Sequence, residues 1–162
     1  MYTKLYIKSD FGVFEIAGSE KGVKSIRMSP SEQFDDAKVA KPVRDCAIQL
    51  DEYFRKKRTK FDLKFDWEGT PKYHQKVWAE LLKIPFGRTC SYLDIAEKLG
   101  DKNAVRAVGQ ANRNNQIPII IPCHRVIAKT GDLHGYFYGL EMKQKLLEHE
   151  NPLQFGRQIS LF

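Results

Sequence analysis

Cys123, His124 and Arg125 stand side by side: a thiol, an imidazole and a guanidinium in consecutive positions. A neutral thiol is a poor nucleophile and its thiolate a good one, and neighbouring cations or a base lower the thiol pKa from roughly 8.5. The plain alternative is a small buried cysteine at a strand end, the ordinary habit of free cysteine. Two other residues invite chemistry. Glu150 falls at the end of a helical pattern, where the terminal carbonyls disfavour an acid; it is either solvated or held by a partner, and His124 is one candidate. Arg106 is a lone long cation in a stretch of small residues, Ala104 to Ala111.

These residues need elements to position them. Ile119, Ile120 and Ile121 form a β-branched run between Pro118 and Pro122, which predicts a buried strand or extended segment. Pro122 has no amide hydrogen, so pairing should stop there and leave Cys123 in looser backbone. Upstream, Ser91-Tyr92-Leu93-Asp94 has the pattern of a capping box. It predicts a helix to about Leu99 with Ile95, Ala96 and Leu99 inward, stopped by Gly100. A second helix is expected over residues 103–112. Two short helices joined by a Gly-containing turn make a helix-turn-helix candidate. The second helix offers few side chains able to address base edges bidentately. Its small residues allow close approach, either to a packed helix or to the floor of a DNA groove. In the latter case Arg106 could fill the space of a displaced base. Asn112-Arg113-Asn114-Asn115 is a turn-prone link into the isoleucine run.

Around this core the pattern is simpler. Residues 4–8, 12–17 and 23–28 predict three strands, the first two a hairpin about Asp10-Phe11-Gly12. Residues 29–41 are expected as loop. Residues 42–57 have helical spacing, with Val43, Ala47, Leu50 and Phe54 on one face and Cys46 beside it as a core residue. Arg55-Lys56-Lys57-Arg58 is either a solvated helix end or a DNA-facing patch. Residues 61–65 alternate and predict a return to the sheet. Gly69-Thr70-Pro71 marks a domain boundary, giving domains 1–69 and 70–162. Thr70 is expected to cap a helix with Pro71 at its first position and Val77, Trp78, Leu81 and Leu82 buried. Pro85 and Gly87 end it. Thr130-Gly131-Asp132 predicts a turn, and residues 135–139 an aromatic loop. Residues 140–150 predict a helix with Leu140, Lys143, Leu146 and Leu147 on one face, stopped by Asn151-Pro152.

The chain of 162 residues carries a net charge of +7, is 42% hydrophobic and is 29% charged. That is the profile of a soluble globular protein with a preference for a polyanionic partner. No run approaches membrane-spanning length and no signal-peptide pattern opens the sequence, so a cytosolic or nucleoid location is expected, with no membrane partner. Cys46, Cys90 and Cys123 include no CxxC pair, which argues against a disulfide framework or a cysteine-rich zinc site.

Val77-Trp78, Ile84-Pro85-Phe86-Gly87, Ser91-Tyr92, Ile95-Ala96, Arg106-Ala107-Val108, Ile121-Pro122-Cys123-His124-Arg125-Val126-Ile127, Gly135-Tyr136, Gly139-Leu140 and Lys143…Leu146-Leu147…Glu150 occur in this order. In this the chain resembles the O6-alkylguanine-DNA alkyltransferases, suicidal direct-reversal repair proteins. The motifs span about half the chain, from Pro71 to Glu150. The resemblance implies an α/β N-terminal domain, a small antiparallel sheet plus helix. A mainly α C-terminal domain with a winged-helix-like helix-turn-helix would follow.

By the same resemblance Cys123 is the alkyl acceptor. His124 takes the thiol proton through a water, Glu150 orients it, and Asn115 links the helix-turn-helix to the active-site segment. Arg106 is the arginine finger, with Ala107 and Gly109 on the same DNA-facing helix. Tyr92 helps rotate the nucleotide out and then hydrogen-bonds the base. Val126, Tyr136, Phe137, Tyr138 and Lys143 belong to the pocket, with backbone around Cys123, Val126 and Phe137 reading the guanine edge. The implied partner is double-stranded DNA containing O6-alkylguanine, with O4-alkylthymine as a second candidate. The protein would act as a monomer, with cooperative assembly on DNA open; its compartment would be the cytoplasm, the nucleoid in a bacterium or the nucleus in a eukaryote.

Gln116, Val105 and Tyr138 depart from the family pattern, and a bulky Tyr138 could narrow the pocket. The zinc ligands of the human member have no counterparts, so no structural metal and no cofactor are expected. The competing classes are a cysteine hydrolase, which would need an oxyanion hole and turnover, a non-catalytic lesion binder, which would lack Cys123, and a helix-turn-helix regulator, which would need sequence-specific base contacts.

Overall fold

The computed structural model describes residues 1–31, 33–131, 133 and 135–156. Contacts divide the chain into two units, Met1–Thr70 with Gln116–Ile120, and Pro71–Asn115 with Ile121–Phe162.

The first unit is a three-stranded antiparallel meander with one helix packed on it. Strands β1 (Thr3–Ser9), β2 (Gly12–Ser19) and β3 (Gly22–Ser29) lie in sequence order. Alternation of apolar and polar residues puts Phe14, Ile16, Val23 and Ile26 on the buried face. Helix α1 (Lys41–Phe54) covers that face with Val43, Cys46, Ala47, Leu50 and Tyr53. Cys46 is a core residue, as its place on that face predicts. The loop before α1 shields the outer edge of β1. Asp36 Oδ2 accepts from the Lys4 amide and Asp35 Oδ1 from the Tyr6 amide, both at 2.8 Å, so an exposed ladder edge is occupied.

Residues 61–65 return to the sheet, as their alternation predicts, but without forming a strand. They meet the sheet at a single parallel bridge, Val23 to Phe65, with Val23 N donating to Lys64 O and Asp66 N donating to Val23 O. Asp66 then accepts from the Glu68 amide and turns the chain away. The contact requires Gly22: a Cβ there would lie 2.6 Å from the Phe65 carbonyl carbon, at a φ of +143°. Of the basic cluster, Arg55 pairs with Asp51 and Arg58 with Glu52.

The second unit is mainly helical: α2 (Lys72–Leu81), α3 (Tyr92–Lys98), α4 (Val105–Arg113), α5 (Leu140–Glu150) and α6 (Pro152–Phe155). The two-residue strands β4 (Cys90–Ser91) and β5 (Val126–Ile127) pair in parallel. Ser91 caps α3 with the expected box: Asp94 N donates to Ser91 Oγ and Ser91 N to Asp94 Oδ2. Helices α3 and α4 pack together as the helix-turn-helix, and Trp78 Nε1 on α2 donates to Ala111 O of α4 at 2.9 Å.

Several expectations need correction. Thr70 does not cap α2. Pro71, at ψ 139°, is still extended, so the helix begins one residue later and without a side-chain cap. Leu82 and Leu140, expected on buried faces, are 39% and 49% exposed at helix ends. Helix α4 begins and ends later than residues 103–112. Asn151-Pro152 ends α5 but also starts α6: Asn151 Oδ1 caps it and Pro152 supplies a first residue that needs no amide hydrogen. The predicted turn at residues 130–132 includes Asp132, and the tail runs beyond Gly156; both lie partly outside the described residues.

The largest correction concerns the isoleucine run, which is buried but is not a strand. Ile120 N donates to Pro118 O, closing a γ-turn about Ile119 at a φ of +75°. That conformation is strained for a β-branched residue. Cys123 N donates to Ile121 O around Pro122, whose φ of −82° and ψ of 64° are those of an inverse γ-turn. Two prolines without amide hydrogens leave too few donors for a ladder, and the apolar side chains are buried by turning instead.

Candidate active site

Cys123, His124 and Arg125 form one turn of 3-10 helix immediately after that inverse γ-turn and immediately before β5. Parallel pairing of β5 with β4 sets Cys90 opposite Val126 and Ser91 opposite Ile127. Tyr92, the first residue of α3, thereby starts beside the segment that carries the thiol.

His124 is fully buried and its Nε2 lies 2.7 Å from Glu150 Oε2. Burial pushes the Glu150 carboxyl up, but His124 and Arg125 outweigh it and hold the group well below the ordinary carboxylate range. An ionised carboxylate only accepts hydrogen bonds, so Nε2 carries the proton and Nδ1 the lone pair. Nδ1 is buried with no hydrogen-bond partner among the described residues. Burial holds the His124 pKa below its usual value. The ring is therefore a neutral base at neutral pH.

Glu150 is shared. Arg125 Nε donates to Oε1 at 2.7 Å and Nη2 to Oε2 at 3.0 Å, while Nη1 donates to Ile84 O at 2.7 Å. The guanidinium also faces the Phe86 ring at 5.8 Å. Asn151 Nδ2 donates to Gly87 O. The Ile84-Pro85-Phe86-Gly87 motif is thus the platform under the His124–Glu150–Arg125 network. Glu150 is held at the helix end by partners rather than solvated, which offsets its unfavourable place on the helix dipole.

Asn115 Nδ2 donates to Ile121 O at 2.8 Å, tying the end of the helix-turn-helix to the segment before the thiol. Lys143 is fully buried and its Nζ donates to Val126 O at 2.7 Å; burial lowers its pKa to about 8.

Cys123 is 5% exposed. Burial pushes its thiol up to about 11, while Asn115, Lys143, its own backbone and Tyr136 pull in the other direction. The expectation of a thiol depressed by adjacent cations is overturned. Arg125 is committed to Glu150, and neutral His124 contributes no charge. The resting group is a thiol, and its proton must leave during reaction, which suits a soft nucleophile beside a neutral imidazole.

The remaining predicted residues divide. Val126 is buried, and Tyr92, Tyr136 and Tyr138 are half-buried; the rings of Tyr136 and Tyr138 meet edge-on at 6.1 Å. Phe137 is 75% exposed, so its side chain is not a wall of a closed pocket. Tyr92 packs over Gly109: a Cβ there would sit 3.9 Å from Tyr92 Cδ1. Arg106 and Ala107 are exposed on α4, and Arg106 makes no hydrogen bond or ion pair among the described residues. Gln110 and Arg113 are exposed on the same helix. Sequence reasoning missed the role of Arg125, although its adjacency to His124 was the signal. It also missed buried Asn112, whose Nδ2 reaches Cys123 O at 3.4 Å. Among the described residues no His, Cys, Asp and Glu side chains group as a metal site, and no helix is long and apolar enough to cross a membrane.

Comparison with known proteins gives a consistent picture. A family model described as the 6-O-methylguanine DNA methyltransferase DNA binding domain matches residues 72–152. A second, the ribonuclease-like domain of the same methyltransferase, matches residues 1–67. The methylated-DNA–protein-cysteine methyltransferase of Methanosarcina barkeri is 43% identical over 157 residues, covering 91% of this chain and 97% of the relative. The crystal structure of the Mycobacterium tuberculosis O6-methylguanine methyltransferase has a TM-score of 0.81 at 36% identity, covering 99% of this chain and 98% of that one. That of Mycobacterium tuberculosis OGT in complex with DNA has a TM-score of 0.79 at 40% identity, covering 91% of each chain.

Proposed function

The chain belongs to the 6-O-methylguanine DNA methyltransferase family, and from that premise we propose that it repairs alkylated DNA by direct reversal, with Cys123 as the alkyl acceptor. Double-stranded DNA is the partner and O6-alkylguanine the substrate, with O4-alkylthymine as a weaker candidate. The protein works as a monomer in contact with the nucleoid or, in a eukaryote, the nucleus. Residues 1–69 form the α/β domain and residues 70–162 the DNA-binding and active-site domain.

The exposed face of α4, with Arg106, Ala107, Gln110 and Arg113, meets the DNA. The positive charge of the chain supplies affinity that is independent of sequence and sensitive to salt. Arg106 holds the space of the extruded nucleotide. Tyr92, Val126, Tyr136, Tyr138, Lys143 and backbone near Phe137 receive the base. As the sulfur attacks, the S–C bond forms, the C–O6 bond breaks and the thiol proton passes to His124. Net, the alkyl group moves to sulfur and one proton moves to the guanine. The thioether is stable, so each chain acts once.

The observation that carries this reading is a buried thiol followed in the chain by a neutral imidazole whose Nε2 is held by Glu150, itself held by Arg125. The test is intact-protein and peptide mass spectrometry after mixing with an O6-methylguanine duplex. One methyl group per chain, on the Cys123 peptide, is expected. Cys123→Ser should abolish transfer while keeping the fold. A methyl group on Cys46 or Cys90, or repair well beyond one equivalent, would sink the assignment.

A further inference from the structure

We propose that Trp78 is a positioning residue for alkyl transfer: its indole N–H fixes the last turn of α4, and side chains of that helix end hold the backbone around Cys123. This rests on the reading above, in which Cys123 is the acceptor. An α-helix leaves its last four carbonyls without amide partners inside the helix. At the end of α4 the following backbone meets two of them. Asn114 N donates to Gln110 O, and Asn115 N reaches Asn112 O at 3.4 Å, the long end for such a bond. Ala111 O, between them, is reached by neither amide. Ala111 is fully buried, so its carbonyl needs a partner from the protein. That partner comes from α2, where Trp78 Nε1 donates to Ala111 O at 2.9 Å.

The same helix end carries two side chains that reach the acceptor segment. Asn115 Nδ2 donates to Ile121 O at 2.8 Å, and Asn112 Nδ2 reaches Cys123 O at 3.4 Å. The two carbonyls bracket Pro122, which has no amide hydrogen to fix this stretch by a ladder. The placing of Cys123 therefore depends on where the end of α4 stands, and the indole bond ties that end to α2. A ring of similar bulk without the N–H would still pack, but it would leave Ala111 O buried and unmet. The last turn of α4 would then loosen, and with it the hold of Asn112 and Asn115 on the two carbonyls. Arg106 and Ala107, exposed on the first turn of α4, would keep their places.

The experiment replaces Trp78 by benzothienylalanine, in which sulfur stands in place of the indole N–H and the shape is nearly kept. A fluorotryptophan at the same position keeps the N–H and serves as the rescue. Single-turnover transfer is measured from an O6-methylguanine duplex at saturating DNA and from a free O6-alkylguanine base, well below each protein's melting temperature. Duplex affinity and amide hydrogen exchange are measured alongside. The benzothienyl protein should transfer about three- to tenfold more slowly, the size of one lost hydrogen bond. The loss should be the same on both substrates, because the thiol and not the extruded nucleotide is misplaced. Duplex affinity should change by less than about twofold, since the cations that meet phosphate are untouched. The amides of Asn114 and Asn115 should exchange faster. The fluorotryptophan protein should match wild type throughout.

A benzothienyl protein that melts lower but transfers at the wild-type rate makes Trp78 a packing residue and overturns the proposal. A loss confined to the duplex also overturns it, because the effect then lies at the DNA-facing side of α4 and not at the thiol. If the benzothienyl protein does not fold, Trp78→Phe takes its place, and failure of both to fold assigns the bond to stability alone and overturns the proposal too. The wild-type protein separates the two levels. No methyl group on Cys123 defeats the proposed function itself, whereas normal wild-type transfer with an unslowed benzothienyl protein defeats only the role of Trp78.

Discussion

The two units bury different things. Among the described residues the first unit buries two polar side chains, Ser25 and Asp66, beneath a sheet and helix of ordinary apolar content. The second buries Ser91, Asn112, His124, Arg125, Lys143 and Glu150. Buried charges cost free energy unless paired, and even a paired set is often no more stabilising than an apolar replacement. A fold has no need of a carboxylate, an imidazole, a guanidinium and an ammonium within one small unit. The contrast teaches that the second unit gives up stability for chemistry, and that the first does not.

The most severe test of this contrast is Glu150→Gln. It leaves buried Arg125 without its carboxylate, and a broken buried pair costs about 3–5 kcal/mol. Urea unfolding at pH 7 should show that loss. The sign with pH follows from the depressed carboxyl. Its stabilisation is present above the unfolded value of about 4.3 and is lost as pH falls through the folded value. The difference between wild type and variant should therefore narrow in acid. A difference below about 1 kcal/mol at pH 7 would mean that the network does not act as a unit.

In the first unit Leu50→Ala should cost about 2–5 kcal/mol through the cavity it leaves in the α1 core. The methyl-transfer rate of the molecules that remain folded should stay at the wild-type value. A slower rate in the folded fraction would blur the distinction between the units. Arg106→Ala should do the opposite: melting unchanged, because its side chain is exposed, but duplex repair slowed by about one to three orders of magnitude through lost support for the extruded state. Reaction with a free O6-alkylguanine base should be far less affected, and an equal loss on both substrates would mark Arg106 as structural.

The sequence made the elements legible where local chemistry decides them. The Ser91–Asp94 capping box, the meander with its alternating strands and the face of α1 depend on near neighbours and on burial. The isoleucine run was legible as buried but not as a pair of γ-turns, because apolarity states a preference for burial and not for a ladder. The direction of the Cys123 shift was not legible at all. Adjacency of cations suggests a lowered pKa, and only the tertiary structure shows that Arg125 is bound to Glu150 and that burial dominates. Asn112 and the platform of residues 84–87 are side-chain-to-backbone contacts across long sequence separations, which periodicity cannot reveal.

Lys143 gives the smallest effect and the sharpest reading of the contrast, since it is a buried cation whose charge serves the thiol. Burial lowers its pKa to about 8, against the opposing pull of Cys123, and its charge in turn draws the Cys123 pKa down from where burial would leave it. Between pH 6.5 and 8 the transfer rate should climb with the readiness of the thiol to lose its proton. Above pH 8 Lys143 becomes neutral, its pull on the thiol ends and the climb should flatten. Lys143→Met should remove that bend and slow transfer at pH 7.5 by about three- to tenfold, equivalent to half to one pKa unit at the thiol. Stability supplies an independent check. A lysine whose folded pKa is depressed destabilises the folded state while protonated, and the penalty is relieved as pH rises from about 8 towards the unfolded value near 10.4. Wild type should therefore gain stability relative to Lys143→Met between pH 7 and 10. Parallel stability curves together with an unbent rate profile in the wild type would show instead that Lys143 keeps an ordinary lysine pKa and stays charged across this range, and would overturn the depressed value.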